Sequence, residues 1–288
     1  MKRLKLLFTG LMAVFNVTTH AQTDNNSLLW RISGKGISKP SYLFGTMHLI
    51  CRSDYLWTAA MQQSLDKSEK VCFEMDLDDQ NTIMQSAAGL MDNTGKKLSD
   101  YFTTEQYAKL KKYVHDTVGI DIALMENLKP VALQTLLGSQ SPFCNDPVSY
   151  EDSIMRLAQN QDKEILGLEA PKEQLDALAS IPIDTVIKEL MSAIDDNAAD
   201  DGEYKALVDA YKSQNLDALH SQMVNSQELQ AQLGVFLDDR NKRWIPRMSG
   251  QMKNTSIFFA VGAGHLWGDN GVISLLRKNG YKVEPLKN

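Results

Sequence analysis

Outside its first five residues this chain has no basic cluster, and its formal charge is −6, so it has no surface on which to neutralise a run of phosphates. That excludes nucleic acid as a partner. Cysteine is scarce, three in 288 residues with no C-x-x-C spacing, which removes the metal and redox sites built on that motif. Proline and glycine are few, 8 and 17, so collagenous and low-complexity chains are excluded too. Beyond residue 17 no apolar run reaches the ~18 residues a membrane span requires. What is present is 43% hydrophobic against 23% charged residues, enough to bury a sizeable core in one large domain or two small ones.

The N-terminus reads as a secretory signal peptide over residues 1–21. Lys2, Arg3 and Lys5 precede the apolar stretch Leu6 to Val17, and Thr19-His20-Ala21 offers a small-residue cleavage site before Gln22. Cleavage removes three positive charges, so the −6 of the full chain becomes −9 in a mature chain of residues 22–288. The expectation is an exported protein, periplasmic or secreted, with no stable membrane span once cleaved. In an oxidising compartment, three cysteines are most simply one bridge and one shielded thiol. The expected bridge is Cys51 to Cys144, with Cys72 buried inside Val71-Cys72-Phe73 as a small hydrophobe.

Strand-like runs occur at Leu29–Ser33, Tyr42–Thr46, Lys70–Asp76, Glu164–Glu169, Ser256–Gly262 and Tyr281–Pro285, the first two flanking a Gly-Lys-Gly hairpin tip. The gaps are helical in pattern. Thr103 to Gln106 has capping-box spacing, Ser149 and Asp152 open a further helix, and Pro130 and Pro171 suit helix starts. From Pro171 to about Met252 the chain is almost continuously helical, with breaks expected near Pro182, Asp201-Gly202 and Pro246. The fold class is therefore α/β, a mixed central sheet flanked by helices, with a largely helical insertion over about 171–252.

One short pattern occurs twice. Gly45-Thr46-Met47-His48 and Gly262-Ala263-Gly264-His265 are both G-x-x-H, and each directly follows an apolar strand. A single histidine after a strand is commonly a packed residue; its repetition in matching contexts carries the argument. Two more strands end in acids, Glu74 and Asp76 on one face of their strand by alternation, and Glu169 just before the helix at Pro171. If the strands run parallel, these groups gather outside their carboxyl ends, where open α/β sheets bind ligands. Two imidazoles with one or two carboxylates suit a divalent transition metal with a position left for water, and water so bound is acidified for attack on a carbonyl. Glu74 is the choice for third ligand or general base. Glu169 is the lesser candidate, for orienting a ligand, since an acid there also suits the start of a helix. His115 and His220 fall on helical stretches and read as surface residues.

Competing motifs are weaker. Gly262-x-Gly264-x-x-x-Gly268 with Glu284 resembles a dinucleotide fingerprint, but its spacing is one residue too long. Walker-A, G-x-S-x-G and H-E-x-x-H spacings are absent. Cys51 lies three residues after His48, but the expected bridge removes it as a nucleophile.

Leu29-Trp30-Arg31-Ile32, Tyr42 to His48, Phe73-Glu74-Met75-Asp76, Gly167-Leu168-Glu169 with Glu173-Gln174, Arg240-Asn241 and Val261 to Leu266 followed by Gly271 and Gly280-Tyr281 together resemble the TraB/GumN family over nearly the whole mature chain. The family includes the Tiki metalloproteases and is related in fold to erythromycin-esterase and haem-binding ChaN-like proteins. The resemblance implies an active site of His48, His265 and Glu74, with Arg240 and Asn241 approaching from the helical region. It implies a divalent ion, Mn, Co or Zn, and a peptide or small-molecule substrate. Peptide hydrolysis is the reading favoured by likeness to the Tiki proteins; the alternative is a non-catalytic metal or haem carrier using the same histidines.

Overall fold

Strands rich in Phe, Val and Ile that are buried on both faces belong in the middle of a parallel sheet covered by helices. The segments Ser-Tyr-Leu-Phe-Gly-Thr and Ile-Phe-Phe-Ala-Val-Gly are of this kind, with every residue buried save the last glycine. The computed structural model describes residues 26–138, 144, 146–195, 201–224 and 233–287, so the leader expected over 1–21 lies outside the described residues. In chain order the first half runs β1 (Leu29–Gly34), β2 (Ser41–Thr46), β3 (Ile50–Cys51), α1 (Ala59–Lys67), β4 (Lys70–Phe73), α2 (Gln80–Gly89), α3 (Thr104–Val118), α4 (Pro130–Gly138), β5 (Pro147–Val148) and α5 (Tyr150–Gln159). The second half runs β6 (Glu164–Gly167), α6 (Pro171–Ala179), α7 (Ile183–Asp195), α8 (Asp201–Lys212), α9 (Leu216–Val224), α10 (Asp239–Gln251), β7 (Ile257–Gly262), α11 (Val272–Lys278) and β8 (Tyr281–Pro285).

The main sheet has the order β6-β4-β7-β2-β1-β8. Its first four members are parallel, while β1 pairs antiparallel with both β2 and β8, so the sheet is mixed, as expected. The chain lays down β2, then β4 and β6 beyond an open position, and only near its end fills that position with β7. The carboxyl ends of β6, β4, β7 and β2 therefore share one edge.

The expected capping signals are in place. Thr103 and Gln106 form the capping box of α3, Ser149 accepts from the Asp152 N–H at the start of α5, and Pro130 and Pro171 open α4 and α6. The sheet and its covering helices share one core, with Trp30, Phe44, Phe258, Phe259, Tyr211 and Trp244 almost wholly buried. A second, smaller core of Leu110, Val114, Leu133, Leu190 and Ile194 joins α3, α4 and α7. The helical second half is thus divided: α7 packs away from the sheet with helices of the first half, while α8 and α9 return to it.

Two expectations need correction. β4 ends at Phe73 rather than Asp76, because Asp79 caps the N-terminus of α2 through the N–H groups of Asn81 and Thr82 and draws the chain off the sheet. Glu74 and Asp76 therefore share no strand face. Pro246 does not break the helix but lies inside α10, which buries Trp244, Ile245 and Met248 on one side; that burial outweighs the one backbone hydrogen bond a proline removes. The short ladder of β3 with β5 was not legible as strands, and it stands beside a disulfide between Cys51 and Cys144. Cys72 is free and buried.

Candidate active site

The four parallel strands deliver their groups in the order Glu169, Glu74, His265, His48 along the shared edge. The two glycines that open the G-x-x-H motifs serve different ends. A Cβ on Gly45 would lie 2.7 Å from Leu266 and 3.1 Å from the backbone of Ala263, so this glycine lets the first motif pack directly on the second. A Cβ on Gly262 would lie 3.3 Å from Glu74 Oε1, 3.7 Å from His265 Cδ2 and 4.0 Å from His48 Nε2. Here the missing side chain is the space around which the three groups gather. Gly167 is close-packed too: a Cβ there would meet the Asp76 amide at 2.5 Å, so the glycine admits the segment that carries Glu74 past β6.

Each imidazole is held from behind. His265 sits in a single turn of 3-10 helix after β7, buried under Trp244 at 4.3 Å between rings. The Asn241 amide donates to the carbonyls of His265 and Asn270, which fixes its Oδ1 toward His265 Nδ1 at 2.7 Å. Nδ1 must then carry the proton, leaving Nε2 as a lone pair facing the site. Burial pushes the His265 pKa down to about 4, against the attraction of Glu74, so the ring is neutral at pH 7. At the other end of the edge, His48 Nδ1 is 3.1 Å from Glu151 Oε1, which also accepts from the Thr46 hydroxyl at 2.7 Å. His48 Nε2 is again the nitrogen that faces the Gly262 space.

Glu74 is the centre of this arrangement. Its Oε1 accepts from the Gly262 N–H at 2.8 Å and its Oε2 from Arg240 at 2.6 Å. Burial opposes its ionisation, but proximity to His265, Arg240 and His48 brings its pKa down to about 2. Because His265 is itself neutral at pH 7, Arg240 and His48 are the cations that keep Glu74 ionised there. Arg240, on the first turn of α10, also reaches Glu169 through Nε at 3.1 Å, and its Nη1 stands 3.3 Å from His265 Nε2. Glu169 accepts in addition from Trp244 Nε1 at 3.0 Å and has no exposed side-chain surface. The acid next to a helix start is therefore a counter-ion for Arg240, not a dipole partner of α6.

Glu151 is the site residue that sequence reasoning missed. It lies in the first turn of α5, 103 positions from His48, where an acid suits any helix N-terminus. A signal for it did exist. The bridge from Cys51 to Cys144 binds the loop just after His48 to the segment that leads into Ser149 and α5, and the β3 and β5 ladder completes that join. Asp76, by contrast, is turned away toward Asp78; burial first, and Asp78 second, raise its pKa to about 6. His115 is exposed on α3 as expected, while His220 is half-buried and stacks on Trp267.

The His48 pKa is raised to about 9, chiefly by its hydrogen bond to Glu151 and, after burial has worked against it, by the charges of Glu151 and Glu74. Any stability this pair contributes is complete below the ordinary value of 6.5 and fades as pH rises through about 9. The His48 side chain keeps 73% of its surface exposed, so solvent screening keeps that contribution small. In metal-free protein, NMR titration of the His48 ring should give a pKa near 9, and Glu151→Gln should return it toward 6.5. An unchanged value in the variant would remove Glu151 from the account.

The donor chemistry fits a divalent transition metal: two imidazoles, each hydrogen-bonded at Nδ1, of which His265 is already neutral while His48 would give up its Nε2 proton to bind, and one ionised carboxylate. Among the described residues, however, no three His, Cys, Asp or Glu side chains already stand where they could hold an ion. Arg240 lies beside these groups, its Nη1 3.3 Å from His265 Nε2 and its Nη2 2.6 Å from Glu74 Oε2. Next to these groups lies a cavity of about 610 Å³.

An α/β sheet whose parallel strand ends bring two histidines and a glutamate around one glycine is the class of protein described so far. The chain belongs to the TraB/PrgY/gumN family, whose family model matches residues 28–285. It is similar to the metalloprotease TIKI2 of Xenopus tropicalis, with 26% identity over 92% of this chain and 60% of that protein. It is also similar to a metalloprotease TIKI homolog of Amphimedon queenslandica, 25% identical over 91% of this chain and 62% of the relative, and to the metalloprotease TIKI1 of Homo sapiens, 24% identical over the same two shares. The chain spans about three fifths of the length of these relatives. No solved structure gave a significant match. The metalloprotease relatives imply a metal for the family site without indicating which one.

Proposed function

We propose that the protein is a metal-dependent hydrolase of peptide bonds, with His48, His265 and Glu74 as the residues that would hold the ion. One observation carries this reading: both rings are hydrogen-bonded at Nδ1, by Glu151 and Asn241, and both gather with the ionised Glu74 around the space left by Gly262, where His48 points its Nε2 and His265 has its Nε2 3.7 Å from Glu74 Oε1. A divalent ion held there would polarise a carbonyl and acidify a water molecule. A carboxylate with a pKa of about 2 is a poor proton acceptor near neutrality, so of the two roles open to Glu74, ligand is the better fit. Arg240, held in place by the buried Glu169, is placed to stabilise negative charge as it develops on a carbonyl oxygen. The metalloprotease relatives support the peptidase assignment, and the Cys51–Cys144 bridge supports an exported, oxidising setting.

The test is removal and return of metal. Chelated protein should lose at least about 1,000-fold in turnover of a mixed peptide library, the several kcal/mol expected of Lewis-acid catalysis, and Mn²⁺, Co²⁺ or Zn²⁺ should restore it. Turnover that survives complete chelation would sink the proposal. Tight metal binding without turnover, or a new absorbance band on adding haem, would favour the carrier alternative.

A further inference from the structure

The cavity beside the site has two unlike ends. At one stand His48, Glu74, Arg240 and His265. Away from them the wall is mostly apolar: Leu175 and Leu178 of α6, Leu207 of α8, Leu219 of α9, Phe236 just before α10, and Leu90 at the end of α2. Among the described residues no charged side chain lines the cavity except those of the site itself. Ser86, Thr135 and the amide of Gln174 also face it; the two hydroxyls donate to the carbonyls of Thr82 and Val131 within their own helices. The strand ends thus supply the chemistry, and the helices supply a greasy wall continuous with it. At about 610 Å³ the space lies well within the range of ~300–1,000 Å³ typical of clefts that enclose small ligands.

We infer that this cavity is a specificity pocket for a bulky aliphatic or aromatic side chain on the residue flanking the scissile amide, an inference that rests on the peptidase reading above. Hydrolysis adds water across that amide: the C–N bond breaks, a C–O bond forms, and the leaving nitrogen takes up a proton. A Leu or Phe side chain that enters the pocket leaves water for an apolar wall, which is worth about 10–100-fold in kcat/KM over alanine. Lysine or glutamate at the same position would lose its hydration with no counter-ion on the wall, and is rejected.

The experiment uses capped peptides that differ only at the residues flanking the cleaved bond, carrying Leu, Phe, Ala, Lys or Glu. Cleavage is measured with metal-replenished protein, and binding of the same peptides to chelated protein by calorimetry. Leu and Phe should exceed Ala by about 10–100-fold in both measurements, with Lys and Glu at background. Leu178→Lys should invert the order, admitting the Glu peptide and weakening the Leu peptide, a gain that a misfolded variant cannot show. Cleavage with no apolar preference would overturn the pocket and leave the hydrolase reading standing. Selective binding of Leu and Phe peptides with no cleavage would keep the pocket as a binding site for apolar side chains and overturn the hydrolase. An absence of both would overturn the two together.

Discussion

His48→Ala and His265→Ala should each abolish metal-dependent cleavage, with losses of about 1,000-fold or more in kcat/KM and a matching loss of bound metal by elemental analysis. The two variants should differ in stability, because the rings sit in different surroundings. His48 is largely open to solvent and held mainly by Glu151, so its removal should move the unfolding midpoint little. His265 is buried against Trp244 and accounts for one hydrogen bond of the Asn241 amide, so its loss opens a hole and leaves an acceptor unpaired. His265→Asn, which keeps a polar side chain near Asn241, is the better control for lost chemistry without lost fold. Full turnover in either alanine variant would exclude that histidine from the site.

Glu169→Ala should cost about 3–5 kcal/mol of folding stability, read as a shift of the urea midpoint. Its carboxylate has no exposed surface and accepts hydrogen bonds from Arg240 and from the Trp244 indole. Without it the guanidinium stays buried with Glu74 as its remaining carboxylate partner, and the indole N–H loses its acceptor. Glu169→Gln should lose less, because the amide can still accept one of these bonds. Pairing Glu169→Leu with Arg240→Met should recover only part of the stability while leaving cleavage impaired, since the apolar pair removes the Glu169–Arg240 charges but leaves the Glu74 carboxylate without its guanidinium partner. A change below about 1 kcal/mol in Glu169→Ala would mean that water or another group takes over the contact.

Much of the site could be read before any fold was known, because strand ends leave marks in a chain. An apolar run followed by G-x-x-H, or ending in an acid, places a polar group just beyond a buried strand, and this singled out His48, His265, Glu74 and Glu169. Asp76 was grouped with Glu74 on alternation alone, which fails where the cap at Asp79 ends the strand early. Glu151 escaped because a first-turn acid has a local explanation on every helix. Only the disulfide and its short ladder bring that turn to His48.

By itself the amino-acid order determined which residues lie at the ends of apolar strands, where the helices begin, and which cysteine is hidden, since burial periodicity and capping are local and repeat within a few residues. The tertiary structure decided what those residues do to one another. The position of β7 between β2 and β4 sets His265 between Glu74 and His48, and α10 turns Arg240 onto Glu74 and Glu169. The apolar pocket is assembled from helices far apart in the chain. Contacts across such separations depend on how the layers pack, and no local pattern encodes that.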